Sequence, residues 1–393
     1  MDRPDISALF APLQIRSITL PNRFVLPAMQ RGWARDGKPL PKLATYYAGC
    51  VRGGVGLVIS ESCGVDHPAV TSNRFASLMN ESTYDAWARC VDAVHQAGGL
   101  MLIQLWHEGS FREDAAVRSL TASGLSAPGM PNGKAATREE LEELKEAFVR
   151  SALLAERIGA DGVEVHCAHG YLLDQFLWHG TNIRDDGYGG PEMSDRVRFP
   201  AEIVAAVREA TDPDHIVSVR FSQFKSLDFS ARMAETPEEL GVMLAAFRAA
   251  GADVFHASAR RFYRPAWPGS DLSLAGWTKS LTDLPVIAVG SVGLSNDVYD
   301  SILSDEETAA TGPAGVQELL RRFDGGEFDL VSVGRSVIGD PEWILKVRDG
   351  RYDEIRTFTK DDIAMEWDMN FMEQALLDSH ARAVVAEREA AAG

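Results

Sequence analysis

Short apolar runs alternate with longer stretches of helical period along most of this chain. Eight runs stand out: Phe24–Ala28, Val55–Glu61, Leu100–Leu105, Gly162–His166, Ile216–Phe221, Asp253–Ala257, Pro285–Val289 and Asp329–Val333. Each is short, rich in Val, Ile, Leu and Phe, and bounded by polar or Gly/Pro positions, the signature of a strand buried on both faces. Helical patterns lie between most of them. The clearest opens at Thr137, where Thr137 and Glu140 have the spacing of a capping box, each side chain satisfying an orphan amide of the first turn. Leu141, Leu144, Phe148, Ala152, Ala155 and Ile158 then recur at three- and four-residue steps, and Gly159 ends the helix.

Eight strand–helix units predict an α/β protein with a (β/α)8 TIM-barrel fold. A doubly wound sheet is the alternative, but it predicts a GxGxxG fingerprint after an early strand, and the sequence has none. Residues 1–356 are expected to form the barrel. Residues 357–393 carry a helical pattern and an Ala/Glu-rich end, and read as a C-terminal helical extension. Two segments exceed a plain barrel: Glu108–Ala136, after strand three, reads as a cap, and the polar Ser301–Gly315, after strand seven, as a mobile surface loop.

Composition adds exclusions. The 393 residues are 45% hydrophobic and 24% charged, ordinary for a globular protein, with a formal charge of −18. That charge repels phosphate backbones and anionic membranes, so nucleic acid is a poor candidate partner. No apolar run is long enough to span a bilayer, and the N-terminus lacks the pattern of a secretory signal. The four cysteines, Cys50, Cys63, Cys90 and Cys167, are scattered without a CxxC pair, which argues against a disulfide framework or cluster and predicts a cytoplasmic protein.

In such barrels chemistry sits at the C-terminal ends of the strands. Those positions hold Met29 and Gln30, Glu61 to Cys63, Gln104 and Trp106, His166, His169 and Tyr171, Arg220, the stretch Arg260–Trp267, then Val289–Gly293 and Val333–Ser336. Gly290-Ser291-Val292-Gly293 and Gly334-Arg335-Ser336, at strands seven and eight, suit a phosphate group, because glycines let backbone amides approach an anion and Arg335 can add a bidentate contact. Tight βα turns are the bland explanation of the same glycines. His166 and His169 have three readings: a metal site, a pair of core histidines, or two donors to one substrate oxygen. A metal would need further ligands, and the other strand ends offer Gln, Arg and Gly, so no metal is expected. In the third reading Tyr171 is a weak acid able to deliver a proton.

The stretch EVHCAHGYLLDQFLWHGTNIRDDGYGG (164–190), with LFAPLQI and NRFVLPAMQR near the start, GLVISES, IQLWHEG and VGRSVIGDPEW, resembles the Old Yellow Enzyme family of FMN-dependent barrel oxidoreductases, in its single-domain branch. The resemblance runs from about Leu9 to Arg351. It implies FMN as cofactor, NADH or NADPH as hydride donor, and ping-pong reduction of the activated C=C bond of α,β-unsaturated carbonyl compounds or nitroalkenes. It implies that His166 and His169 hold the substrate oxygen and that Tyr171 protonates the α-carbon. Gln104 would bind the flavin's pyrimidine edge and Arg220 would sit near its N1. Pro27, Ala28, Met29, Gln30 and Ser62 would line the ring, and Gly290, Ser291, Gly334 and Arg335 would hold the phosphate. Trp106, Tyr263 and Trp267 would shape the substrate pocket. A homodimer is compatible with the resemblance.

Three features depart from the family pattern: Gln30 stands where relatives commonly have Thr or Cys, PEMSDRVRF (191–199) looks one residue longer, and 301–315 looks like an insertion. A second reading keeps the fold and cofactor but assigns a nitrate ester or a pathway-specific enone. A flavin-free barrel lyase would need a Schiff-base lysine at a strand end, and the nearest candidates, Lys225 and Lys279, are expected to lie away from one.

Overall fold

A computed structural model describes residues 4–112, 117–303 and 307–363. Eight parallel strands close on themselves: β1 (Phe24–Leu26), β2 (Leu57–Ile59), β3 (Leu100–Trp106), β4 (Gly162–His169), β5 (Ile216–Lys225), β6 (Val254–Ser258), β7 (Val286–Val289) and β8 (Leu330–Ser332). Closure is by β8 on β1, with Val331 opposite Phe24, and by β3 on β4, with Gln104 opposite Glu164. Helices alternate with the strands around the outside, so the predicted TIM barrel is the observed fold. The helix predicted at Thr137 spans Arg138–Arg157, and the capping box is formed by Thr137 and Glu140 in both directions, a device that stabilises a helix by about 1 kcal/mol. No helix among the described residues is long and apolar enough to cross a membrane. All four cysteines are buried and unpaired.

The two-residue period of the strands divides the barrel interior by height. The lower inward positions are apolar: Val25, Leu57, Ile59, Leu102, Ile216, Val254, Ile287 and Leu330 pack into one cluster. An antiparallel hairpin, Leu13–Ile15 with Ile18–Leu20, adds Ile15 and Leu20 to it and closes the N-terminal end. Two residues further along the same strands the side chains turn polar. Leu102 gives way to Gln104, Gly162 to Glu164, Ile216 to Ser218, Val254 to His256 and Leu330 to Ser332, all buried. The sequence pattern thus builds an apolar plug below and a polar floor above.

Several boundaries differ from the expected ones. β4 and β5 run beyond His166 and Phe221, pairing through a register shift that sets His169 opposite Lys225. Lys225 therefore does end a strand, contrary to expectation. It is buried, though, and its ammonium bonds the equally buried Asp174 at 2.5 Å. The segment after strand three is a set of short strand pairs, Leu120–Thr121 with Lys134–Ala135 and Leu125–Ala127 with Met130–Pro131. The predicted loop at 301–315 is largely structured: Val298–Leu303 is helical, Leu294 bridges Ala310, and a helix runs from Gly312 to Asp324. Of the expected C-terminal extension, Lys360–Ile363 forms a single 3-10 turn, and residues 364–393 lie outside the described ones.

Candidate active site

The polar floor is one hydrogen-bonded network. Ser62 Oγ donates to Gln104 Oε1 at 2.6 Å, and Gln104 Nε2 donates to Glu164 Oε1 at 2.8 Å. Glu164 Oε2 accepts from Ser218 Oγ at 3.1 Å and lies 2.8 Å from His256 Nδ1. Burial alone would raise Glu164, but His256, Arg220 and the Gln104 amide override it and hold the carboxyl at about 2. Arg220, one step higher on β5, spreads over this floor and donates to Ala28 O and to Ser258 Oγ, each at 3.3 Å. One N–H of Gln104 and one lone pair of its carbonyl remain for a ligand above.

At the end of β4 the chain turns sharply. His169 takes φ +65° and Gly170 φ +87°, and Asp174 Oδ2 accepts the Gly170 N–H at 2.6 Å. The turn gathers the sequence-predicted trio. The rings of His166 and His169 are 5.3 Å apart, and those of His166 and Tyr171 5.5 Å apart. Tyr171 is held edge-on by Trp106 at 5.3 Å and Phe111 at 5.1 Å. His169 Nε2 meets Ser258 Oγ at 2.9 Å. Arg220 can only donate to that hydroxyl, so its hydrogen is available to Nε2, and in that arrangement the His169 proton sits on Nδ1. Burial and the Arg220 charge lower His166 to about 3 and His169 in the same direction, while burial raises Tyr171. Near neutral pH the site therefore offers two neutral imidazoles and a protonated phenol.

The rest of the predicted set divides. Gln30 is beside Ser62, donating to its carbonyl at 3.2 Å. A Cβ on Gly334 would lie 3.0 Å from Met29 Sδ and 3.3 Å from Pro27 Cγ, so the ends of β1 and β8 touch. Gly290 has φ +142° and Ser291 φ +54°, and Ser291 Oγ donates to Arg260 O at 2.9 Å, so this turn packs on the segment after β6. The Arg335 guanidinium donates to Asn296 O at 2.5 Å and Asp297 O at 3.0 Å and also reaches Ser291 Oγ at 3.4 Å, so it sits beside the Gly290–Ser291 turn. Trp267 donates to Glu235 O at 2.8 Å and packs on Trp277, and Tyr263 packs on Phe262, so the observed contacts of both run away from the histidines. Glu164, His256 and Ser258 were missed in the sequence. Their signal was a charged or polar residue inside an otherwise apolar run.

Among the described residues, His166 Nδ1, Trp106 Nε1, Gln30 Oε1 and Arg220 Nε are buried without a hydrogen-bond partner. All four come from strand ends on the upper side of the floor. Buried polar atoms are nearly always paired, so this group suits a planar ligand with both donors and acceptors along its edge, as an isoalloxazine has. No group of three or more His, Cys, Asp or Glu among the described residues is placed to hold a metal ion.

A model of the NADH:flavin oxidoreductase / NADH oxidase family matches residues 8–312. The chain belongs to that family. Its members include the Old Yellow Enzymes that the motifs resemble. The NADH oxidase of Thermoanaerobacter brockii is 31% identical over 365 residues, 88% of this chain and 52% of that protein. The 12-oxophytodienoate reductase 7 of Oryza sativa subsp. japonica is 36% identical over 266 residues, 62% of this chain and 66% of that protein. Morphinone reductase, solved in complex with tetrahydroNAD, superposes with a TM-score of 0.74 at 25% identity, covering 95% of this chain and 97% of the other. The chain spans about half the length of two curated relatives in the family, 52% of the NADH oxidase and 50% of a metal reductase from Desulforamulus reducens.

Proposed function

We propose that the chain is an FMN-dependent oxidoreductase that takes hydride from NADH or NADPH and reduces the activated C=C bond of α,β-unsaturated carbonyl compounds or nitroalkenes. The single observation that carries the reading is the meeting of two neutral imidazoles and a protonated phenol, His166, His169 and Tyr171, above a floor that ends in Gln104 and Arg220. FMN, when bound, supplies the hydride. Gln104, through its remaining donor and acceptor, and Arg220, through its charge, are the residues to hold the ring's polar edge. Pro27, Ala28, Met29, Gln30 and Ser62 border it. Gly290, Ser291, Gly334 and Arg335 are assigned to the phosphate, with the Arg335 guanidinium already beside Ser291 Oγ.

His166 and His169 donate to the oxygen of the substrate. Their hydrogen bonds strengthen as enolate charge develops there, and one such donor is worth about 10²–10³ in rate. Tyr171 keeps its proton until a carbanion-like carbon is close enough to take it, because burial disfavours the phenolate. Trp106 and Phe111 fix the direction of that phenol. The unpaired cysteines fit the reducing cytoplasm expected from the sequence.

The test is a visible spectrum of the purified protein, followed by anaerobic additions. A flavin band bleached by NADH or NADPH and restored by 2-cyclohexenone is the expected result. Phenol should raise a long-wavelength charge-transfer band that His166→Ala abolishes. A protein that takes up no FMN would overturn the assignment.

A further inference from the structure

The turn after β7, Asn296 to Ser301, leads into the segment 301–315 and is docked over the barrel mouth rather than loose. Asp297 Oδ1 accepts the N–H groups of Tyr299 and Asp300 at 2.9 and 3.0 Å, starting the short helix Val298–Leu303. Two arginines that follow β6 grip the same residues: Arg260 meets Asp297 at 2.5 Å, and Arg261 meets Asp300 at 2.7 Å. Arg335, from the helix after β8, bonds the carbonyls of Asn296 and Asp297 and the Ser301 hydroxyl. Three guanidinium groups from two strand ends thus fix a turn of six residues, and all three are largely buried.

What this anchoring aims is Tyr299. Its ring lies 4.4 Å from Phe229 and 6.1 Å, edge-on, from Phe224, both in the segment that follows Arg220 on β5. Phe224 in turn lies 5.2 Å from the ring of His169. The Tyr299 hydroxyl meets Ser226 Oγ at 2.9 Å, so the ring cannot swing without losing that bond. An aromatic wall therefore runs from His169 through Phe224 to Tyr299, and its far end is supplied by the turn that precedes 301–315.

We propose that Tyr299 is a specificity-determining residue: with Phe224 and Phe229 it forms the wall of the substrate pocket beside His169 and restricts the protein to compact, planar cyclic enones. This rests on the function proposed above. The physical reason is rigidity. A wall that can repack admits bulk at little cost, whereas one held by buried ion pairs and a hydroxyl bond does not. Pocket discrimination of one or a few carbons is commonly worth about 10–200-fold.

The experiment compares kcat/KM for 2-cyclohexenone and for a 2-cyclohexenone bearing a ring phenyl group, in the holoenzyme and in Tyr299→Ala, Tyr299→Phe and Tyr299→Trp. Alongside it, the dissociation constants of phenol and 4-phenylphenol are read by tryptophan fluorescence, which needs no turnover. Tyr299→Ala should raise the ratio of bulky to small substrate about tenfold or more and tighten 4-phenylphenol relative to phenol. Tyr299→Phe should leave the ratio within about twofold, and Tyr299→Trp should lower it. A ratio and a pair of dissociation constants that do not move in Ala or Trp would overturn the proposal while leaving the enzyme assignment intact. A wild-type protein that binds both phenols but reduces neither enone would instead sink the function, and the fluorescence arm would still decide whether Tyr299 bounds the pocket.

Discussion

Asp174 and Lys225 are a pair of opposite charges with almost no solvent exposure, 0% and 1%. Burial raises the Asp174 pKa despite Lys225 and lowers that of Lys225 despite Asp174. Asp174→Asn keeps the shape and one acceptor, so the 2.6 Å bond from Gly170 survives. It leaves the ammonium with only Ser222 O at 3.4 Å and the Trp178 ring at 5.8 Å. Removing one partner of a buried pair typically costs about 3–5 kcal/mol, a large share of the 5–15 kcal/mol that holds most domains together. Lys225→Met should be milder, because Asp174 is already biased toward its neutral form and can keep a proton. The double variant Asp174→Asn/Lys225→Met should be more stable than Asp174→Asn alone, since no uncompensated charge remains. The measurement is urea unfolding of all four proteins at one FMN concentration, with the FMN dissociation constant of each measured so that its linkage contribution is subtracted. An Asp174→Asn loss below about 1 kcal/mol, or strict additivity in the cycle, would refute the claim that an unscreened pair braces the turn carrying His169 and Tyr171.

Three further outcomes are expected. His166, His169, His256 and His107 are each held neutral chiefly by burial. Below about pH 6.5 the unfolded chain gains protons that the native one refuses, so stability should fall with falling pH by up to about 1.4 kcal/mol per unit for each histidine. For His166 that window extends to about pH 3, and a urea midpoint that rises between pH 7 and 5 would contradict it. Gly290→Ala forces a Cβ to 2.4 Å from Ala259 O at φ +142°; it should cost about 1–3 kcal/mol of stability and weaken FMN binding, both read by titration with the cofactor. Glu164→Gln removes the carboxylate that offsets Arg220, so the electron-rich reduced flavin should be favoured. Spectroelectrochemical titration should give a more positive midpoint potential, and an unchanged or lower one would count against the electrostatic role of the floor.

The barrel was legible because parallel strands buried on both faces read as unbroken apolar runs, and because Thr137 and Glu140 mark a helix start by local chemistry alone. The trio His166, His169 and Tyr171 was legible from spacing at one strand end. Other parts depend on contacts remote in sequence. The contacts of Arg335 with Asn296 and Asp297 join a cluster that also draws in Arg260 and Arg261, residues remote in sequence. Trp267 follows a strand in sequence, but the carbonyl of Glu235 and the ring of Trp277 claim it. The acidic character of 301–315 suggested a solvated loop. The stretch just before it, Asp297 to Ser301, is where the buried anchoring occurs, and no local pattern announces it. The apolar run of β4 is interrupted by His166, His169 and Gly170 and that of β5 by Ser222 and Gln223, although backbone pairing continues to His169 and Lys225.

The buried cysteines acquire a meaning once the proposed substrates are considered as reagents. Activated alkenes are Michael acceptors, and the thiolate, not the thiol, attacks them. Burial pushes Cys50 and Cys90 up to about 12 and raises Cys63 and Cys167 as well. The folded protein thus presents no nucleophilic sulfur to the electrophiles it is proposed to handle, and alkylation of a cysteine by an enone would report unfolding of the chain rather than its turnover.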